Sequence, residues 1–168
     1  LSGVWMDRRH ALDVAIYAGL LGRWLQYSKE NVAALVYAGL IHDIGKANVL
    51  FEIISKPGTL TLKEQTMAKK HVSYGINLLE KTDIVPHDVL LAVHQHHERM
   101  DGAGYPNGIK DDEITDFAKI LSIADVYDAL TSNRYYKKAV SPMRAGEIML
   151  NEMKGTFDLT YLNLFLTN

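Results

Sequence analysis

Apolar side chains recur along this chain at helical rather than strand spacing. Val14, Tyr17, Leu21 and Trp24 fall on one 3.6-residue stripe, and His10 stands one turn before Val14 on the same face. Residues 32–41 are apolar almost all round, which predicts a buried central helix. That helix runs into His42-Asp43, and Gly45 is expected to end it. Lys56-Pro57-Gly58-Thr59 predicts a turn. Thr61 followed by Glu64 predicts a capping box at the start of the next helix. A helix around His71 is expected to run to about Glu80. Pro86 fits a first helical position ahead of a helix over 89–98. Residues 101–108 carry three glycines and a proline and predict a loop. Residues 116–132 predict a helix with Ile120, Ile123, Ala124 and Tyr127 as its apolar stripe. Ser141-Pro142 opens another helix, and 159–165 predicts a last one. There is no repeat, no low-complexity tract and no strand pattern, so the expected class is all-α.

Composition narrows the function classes. At 168 residues and 48% hydrophobic content the chain has the material for one domain with a real core. A net charge of −2 argues against a nucleic-acid polymer as partner. The absence of cysteine removes disulfide frameworks and thiolate zinc sites, and fits a reducing, cytoplasmic setting. The longest apolar stretch, 31–41, is too short to span a bilayer. Residue 1 is Leu rather than a start Met, so the expectation is one domain over 1–168 that follows a sensor or receiver domain in a longer chain.

The seven histidines carry the chemistry. Neutral imidazole with carboxylate is the ligand set of a divalent metal site that lacks thiolate. An ionised Asp43 at the end of a buried helix is costly unless a cation pairs with it. Lys46, three residues on, reaches the same cleft. His96 and His97 both lie near the apolar side set by Val89, Leu90 and Val93, and a glycine-rich loop follows them. His71 lies on the stripe of Tyr74 and Leu78. Asp125 interrupts an apolar stretch, and a buried carboxylate there needs a partner. His87 reads as a surface residue and His94 as a packed or solvated one.

Taken together these residues resemble the HD-GYP family of metal-dependent phosphohydrolases. His42-Asp43-Ile44-Gly45-Lys46 resembles the family's HDIGK. His96-His97-Glu98-Arg99, Asp101-Gly102 and Gly104-Tyr105-Pro106 resemble the segment that names it. Lys56 to Thr61 and Ile123 to Leu130 are similar to two further family segments. The resemblance implies a helical HD-domain bundle with metal ions in its core. It implies one ion on His10, His42, Asp43 and Asp125, with Asp43 bridging to a second on His71, His96 and His97. Iron or manganese is the expected metal. Relatives that bind a third ion carry Glu one turn before the first histidine. Met6 stands there in this chain, and a thioether is a poor ligand for a hard cation, so two ions are expected.

The implied activity is hydrolysis of cyclic di-GMP to a linear dinucleotide or GMP by metal-activated water. Asp43 and Lys46 are the expected catalytic pair. Lys46 would neutralise phosphate charge or protonate the leaving oxygen. Arg134 and Lys137 resemble a substrate-gripping basic pair, although the family's Arg-Pro-Tyr reads Arg134-Tyr135-Tyr136 here. Tyr105 is expected to stack on guanine or to pack inward. The loop that holds it is implied to contact diguanylate cyclase partners. Two alternatives stand beside this reading: hydrolysis of another nucleotide such as cyclic GMP-AMP, and a catalytically silent interaction module.

Overall fold

The computed structural model describes the backbone of residues 2–133 and 138–168, with side chains from residue 9 onward. Among the described residues there is no strand. Helix α1 (Ser2–Trp24) and α2 (Lys29–Ile41) pack together as a hairpin. Ser28 caps α2 by accepting the Asn31 N–H at 3.2 Å. Short α3 (Phe51–Ile54) and α4 (Leu62–Lys69) lead to α5 (His71–Leu79). The predicted capping box is present at α4: the Thr61 hydroxyl accepts the Glu64 N–H, and Glu64 accepts the Thr61 N–H at 2.8 Å. Helix α6 (His87–Gln95) and α7 (Asp116–Thr131) complete the central packing. Then come α8 (Pro142–Glu147), continued by a wide turn over Ile148–Glu152, and α9 (Leu159–Thr167).

The core lies where α1, α2, α6 and α7 meet. Val14, Leu21, Leu35, Val93, Ile120 and Ile123 are fully buried there. Each such side chain contributes about 1.5–3 kcal/mol on burial. Tyr17 of the predicted α1 stripe meets Tyr127 of α7 edge to face at 5.2 Å, and Tyr127 meets Phe165 of α9 at 4.9 Å. This aromatic corner fixes α7 against α1, so the carboxylates of α7 face His10. No helix among the described residues is long and apolar enough to cross a membrane.

Three boundaries differ from the sequence expectation. Gly45 does not end the central helix. Helix α2 stops at Ile41, and Gly45 lies in a 3-10 turn over Ile44–Asn48. A Cβ at Gly45 would lie 1.9 Å from the His71 carbonyl oxygen and 2.3 Å from the Gly75 nitrogen, so glycine is present for close packing on α5. Pro86 precedes the first turn of α6 as its N-cap with ψ 146°. Helix α6 ends at Gln95, so His96 and His97 sit in the turn beyond it, where the Glu98 N–H returns to the Gln95 carbonyl at 2.8 Å. Their rings are therefore not splayed by a helical step; the centroids are 4.0 Å apart.

Candidate metal centre

Element ends deliver most of the site. His42 caps α2, Asp43 follows it, His71 opens α5 and His96 caps α6; His10 and Asp125 come from within α1 and α7. Helix termini leave backbone groups free to bond side chains, and the site uses them. Nδ1 of His42 lies 2.8 Å from the Gly39 carbonyl, Nδ1 of His71 2.8 Å from that of Ala68, and Nδ1 of His96 2.6 Å from that of Val93. In each case Nδ1 donates to a carbonyl three residues back, which leaves the Nε2 lone pair facing inward.

Asp43 is the centre of the constellation. Its Oδ2 lies 3.2 Å from His42 Nε2 and 3.7 Å from His10 Nε2. Its Oδ1 lies 3.2 Å from His71 Nε2 and 4.0 Å from His96 Nε2. The two oxygens thus face two sets of imidazoles. One set is His10, His42 and Asp43; the other is Asp43, His71, His96 and His97, and within each the donor atoms lie within 4.8 Å of one another. Asp125 touches both sets, with Oδ1 3.2 Å from His10 Nε2 and Oδ2 3.7 Å from His97 Nδ1.

The orphaned atoms test whether a cation fits. Buried His42 Nε2, Asp43 Oδ1, His71 Nε2 and His96 Nε2 have no hydrogen-bond partner. A buried polar group left unpaired costs about 1–3 kcal/mol. Four of them converging on one point make sense as ligands. The donor set of imidazole nitrogen and carboxylate oxygen suits a divalent transition metal.

The electrostatics favour the ligating forms. Burial lowers the pKa of His71 and holds His96 well below its ordinary range. Burial likewise drives His97 down to about 3. Burial opposes the charge of Asp43, but Lys46 and His42 outweigh it and hold the carboxyl well below the usual range. His10 goes the other way. Burial lowers its pKa, yet hydrogen bonds to Asp125 and Asp128 prevail and raise it to about 9. A proton on His10 balances carboxylates that a bound cation would otherwise balance, so metal binding there releases it.

The structure brings together His10, His42, Asp43, His71, His96, His97 and Asp125, with Lys46 Nζ 2.5 Å from Asp43 Oδ2. His87 is exposed, and His94 is half-buried and outside both ligand groups. Arg134 and Lys137 lie outside the described residues, as does the side chain of Met6. Tyr105 packs inward, stacked on His97 with centroids 4.6 Å apart. A cavity of about 310 Å³ adjoins the centre, walled by Lys46, Val49, Leu60, Lys69 and Tyr105.

Three supporting residues escaped the sequence reading. Asp128 is buried and its Oδ2 lies 2.5 Å from His10 Nδ1. Its signal was present: a second carboxylate three residues after Asp125 shares its helix face. Buried Glu98 accepts the Asn107 N–H at 2.7 Å, and Arg99 donates to the His96 and Glu98 carbonyls at 3.0 Å. No spacing rule flags those two, because their partners are backbone groups of a folded loop.

A family model described as HD domain matches residues 3–160. A 3'3'-cGAMP-specific phosphodiesterase of Vibrio cholerae is 36% identical over 89% of this chain and 32% of its own length. A cyclic di-GMP phosphodiesterase of Pseudomonas aeruginosa is 36% identical over 94% of this chain and 38% of its own length. The chain thus spans about a third of these curated relatives. Among solved structures, an HDG"Y"P protein from Bdellovibrio bacteriovorus superposes with a TM-score of 0.78 at 18% identity, over 95% of this chain and 51% of that one. That likeness shows the fold.

Proposed function

The chain belongs to the HD-domain family, in its HD-GYP group, and on that premise we propose that it is a metal-dependent phosphodiesterase acting on cyclic di-GMP. The observation that carries the proposal is the pair of Asp43 oxygens facing two sets of inward, unpartnered donor atoms. HD-domain phosphohydrolases bind divalent metals, and this chain has the residues for them. We assign two ions, iron or manganese. His10, His42, Asp43 and Asp125 hold one; Asp43, His71, His96 and His97 hold the other.

Bound ions supply a more acidic water and a clamp for the phosphodiester oxygens. The chain's own residues do the rest. Asp43 is ionised and presents one oxygen to each set of imidazoles, so it would serve as a ligand in both halves of the site. Lys46, beside Asp43, faces the cavity and is the proton donor or charge partner for the leaving oxygen. In the overall step an oxygen of water bonds to phosphorus, the bond from phosphorus to the sugar oxygen breaks, and that oxygen takes a proton. Repetition on the second diester yields GMP; a single cut yields the linear dinucleotide. We assign Arg134 and Lys137 to the substrate phosphates. The exposed loop residues Asp101, Ala103, Pro106 and Asn107 offer a face to a diguanylate cyclase domain. A cytoplasmic location follows from an intracellular substrate.

A second substrate reading has its own support: the Vibrio cholerae relative is as similar as the Pseudomonas aeruginosa one, and its name specifies 3'3'-cGAMP. A silent module is disfavoured, because no position of the ligand set is replaced. The test is turnover by purified protein loaded anaerobically with iron or manganese, with both cyclic dinucleotides offered separately. Hydrolysis lost on Asp43→Ala is expected. Absence of turnover on either substrate, with ions bound, sinks the enzyme reading.

A further inference from the structure

One ligand of the centre lacks the support the others have. His42, His71 and His96 are each fixed by a backbone carbonyl, and His10 by Asp128. Metal-binding histidines are commonly oriented this way through their second ring nitrogen. His97 makes no ring hydrogen bond among the described residues. Its Nδ1 stands 3.7 Å from Asp125 Oδ2, beyond hydrogen-bond reach.

Tyr105 holds it instead. The two rings stack with centroids 4.6 Å apart and planes at 27°. The Tyr105 N–H donates to the His97 carbonyl at 3.2 Å, so residue 105 grips residue 97 by ring and by backbone. The loop between them is folded to make this possible. A Cβ at Gly104 would lie 2.5 Å from the Glu98 Cα, so the backbone there approaches closer than any side chain allows. The Asn107 N–H is anchored on buried Glu98.

The other face of Tyr105 is also taken. Lys69 Nζ lies over the ring, 4.8 Å from its centroid. An imidazole stacked at 4.6 Å fills its own side, so the ammonium covers the opposite one. Both faces of the ring are thus engaged within the protein, beside the cavity that Tyr105 helps to line.

We propose that Tyr105 is a positioning residue for His97, filling by ring stacking the place that backbone carbonyls fill for His42, His71 and His96 and that Asp128 fills for His10. It is not a base-stacking residue. This rests on the metal reading above and deepens it: the loop serves the ion held by His71, His96 and His97, and leaves the ion at His10 and His42 untouched.

The test is metal affinity of the purified chain, measured with Mn²⁺ by calorimetry and electron paramagnetic resonance, alongside kinetics on cyclic di-GMP. Tyr105→Phe keeps the ring and is expected to bind both ions as the wild type does. Tyr105→Leu fills space without a ring to stack. One ion is expected to weaken about 10–100-fold while the other holds. With metal limiting, kcat falls and KM stays. If Tyr105→Leu binds both ions normally and KM rises, the ring serves substrate and the proposal is overturned. Loss of an ion in Tyr105→Phe also overturns it, because the hydroxyl would then be the working group; this arm stands even where the Leu variant does not fold. A wild-type chain that takes up no Mn²⁺ overturns the metal reading itself, and this proposal with it.

Discussion

Asp128 Oδ2 lies 2.5 Å from Nδ1 of His10, so a carboxylate one turn beyond Asp125 orients the imidazole whose Nε2 faces Asp43 and Asp125. A carboxylate behind a ligating histidine fixes its tautomer and raises its basicity. Asp128→Asn is expected to weaken one ion about 10–100-fold with the fold intact. Calorimetric titration with Mn²⁺ reads it, and unchanged affinity for both ions would show that Asp128 is only a core partner.

Metal should also stabilise the fold. At 100-fold excess over Kd, an ion that binds only the native state adds about 2.7 kcal/mol. For a domain of this size that raises Tm by roughly 5–10 °C. Scanning calorimetry of metal-stripped protein with and without Mn²⁺ checks it, and Asp43→Ala should remove most of the rise. Equal Tm with and without ion in the wild type counts against the centre.

Lys46 touches Asp43 and the cavity, so its loss should spare metal binding and slow the reaction. Lys46→Met is expected to lower kcat by about 10²–10⁴-fold, the usual range for a lost proton donor. Steady-state kinetics on metal-replete protein tests this. A kcat within threefold of wild type would return Lys46 to the role of a surface lysine.

Gly45 has no room for a methyl against the His71 carbonyl and the Gly75 nitrogen. Both neighbours are backbone, so relief requires moving α5 and with it His71. Gly45→Ala is expected to cost about 1–3 kcal/mol or more in urea unfolding, and an undiminished midpoint would contradict the packing.

Lys56 Nζ donates to both Glu64 oxygens at 2.8 and 2.7 Å, and with the Thr61 N–H and hydroxyl it holds the Glu64 pKa down to about 2. The folded pKa lies below the ordinary 4.5, so the stabilisation is present above that pH and is lost as pH falls toward 2. Carbon-detected NMR of the Glu64 carboxyl should show the depressed titration, and Lys56→Met should return it most of the way. A wild-type Glu64 titrating near 4.5 would refute the cap.

The helical class, the α4 capping box, the burial of Val14 and Leu21, and the candidate ligand histidines were legible because periodicity, caps and residue chemistry are local properties. Exposed His87 was legible for the same reason. What the chain could not show along its length is how ends of separate helices meet. Gly45 reads locally as a helix stop, and only the approach of α5 reveals it as a contact residue. Asp128 and Glu98 act through partners that folding brings near, His10 of α1 and the Asn107 N–H, and Arg99 bonds carbonyls of its own turn. The stacking of Tyr105 on His97 likewise depends on a loop reversal that residue types permit but do not aim. Residue chemistry therefore named the candidate ligands. The packing of α1, α5 and α7 around Asp43 decided which oxygen faces which imidazole, because those contacts join side chains from separate elements and are set by the core; the His10–Asp128 contact that braces them spans 118 residues.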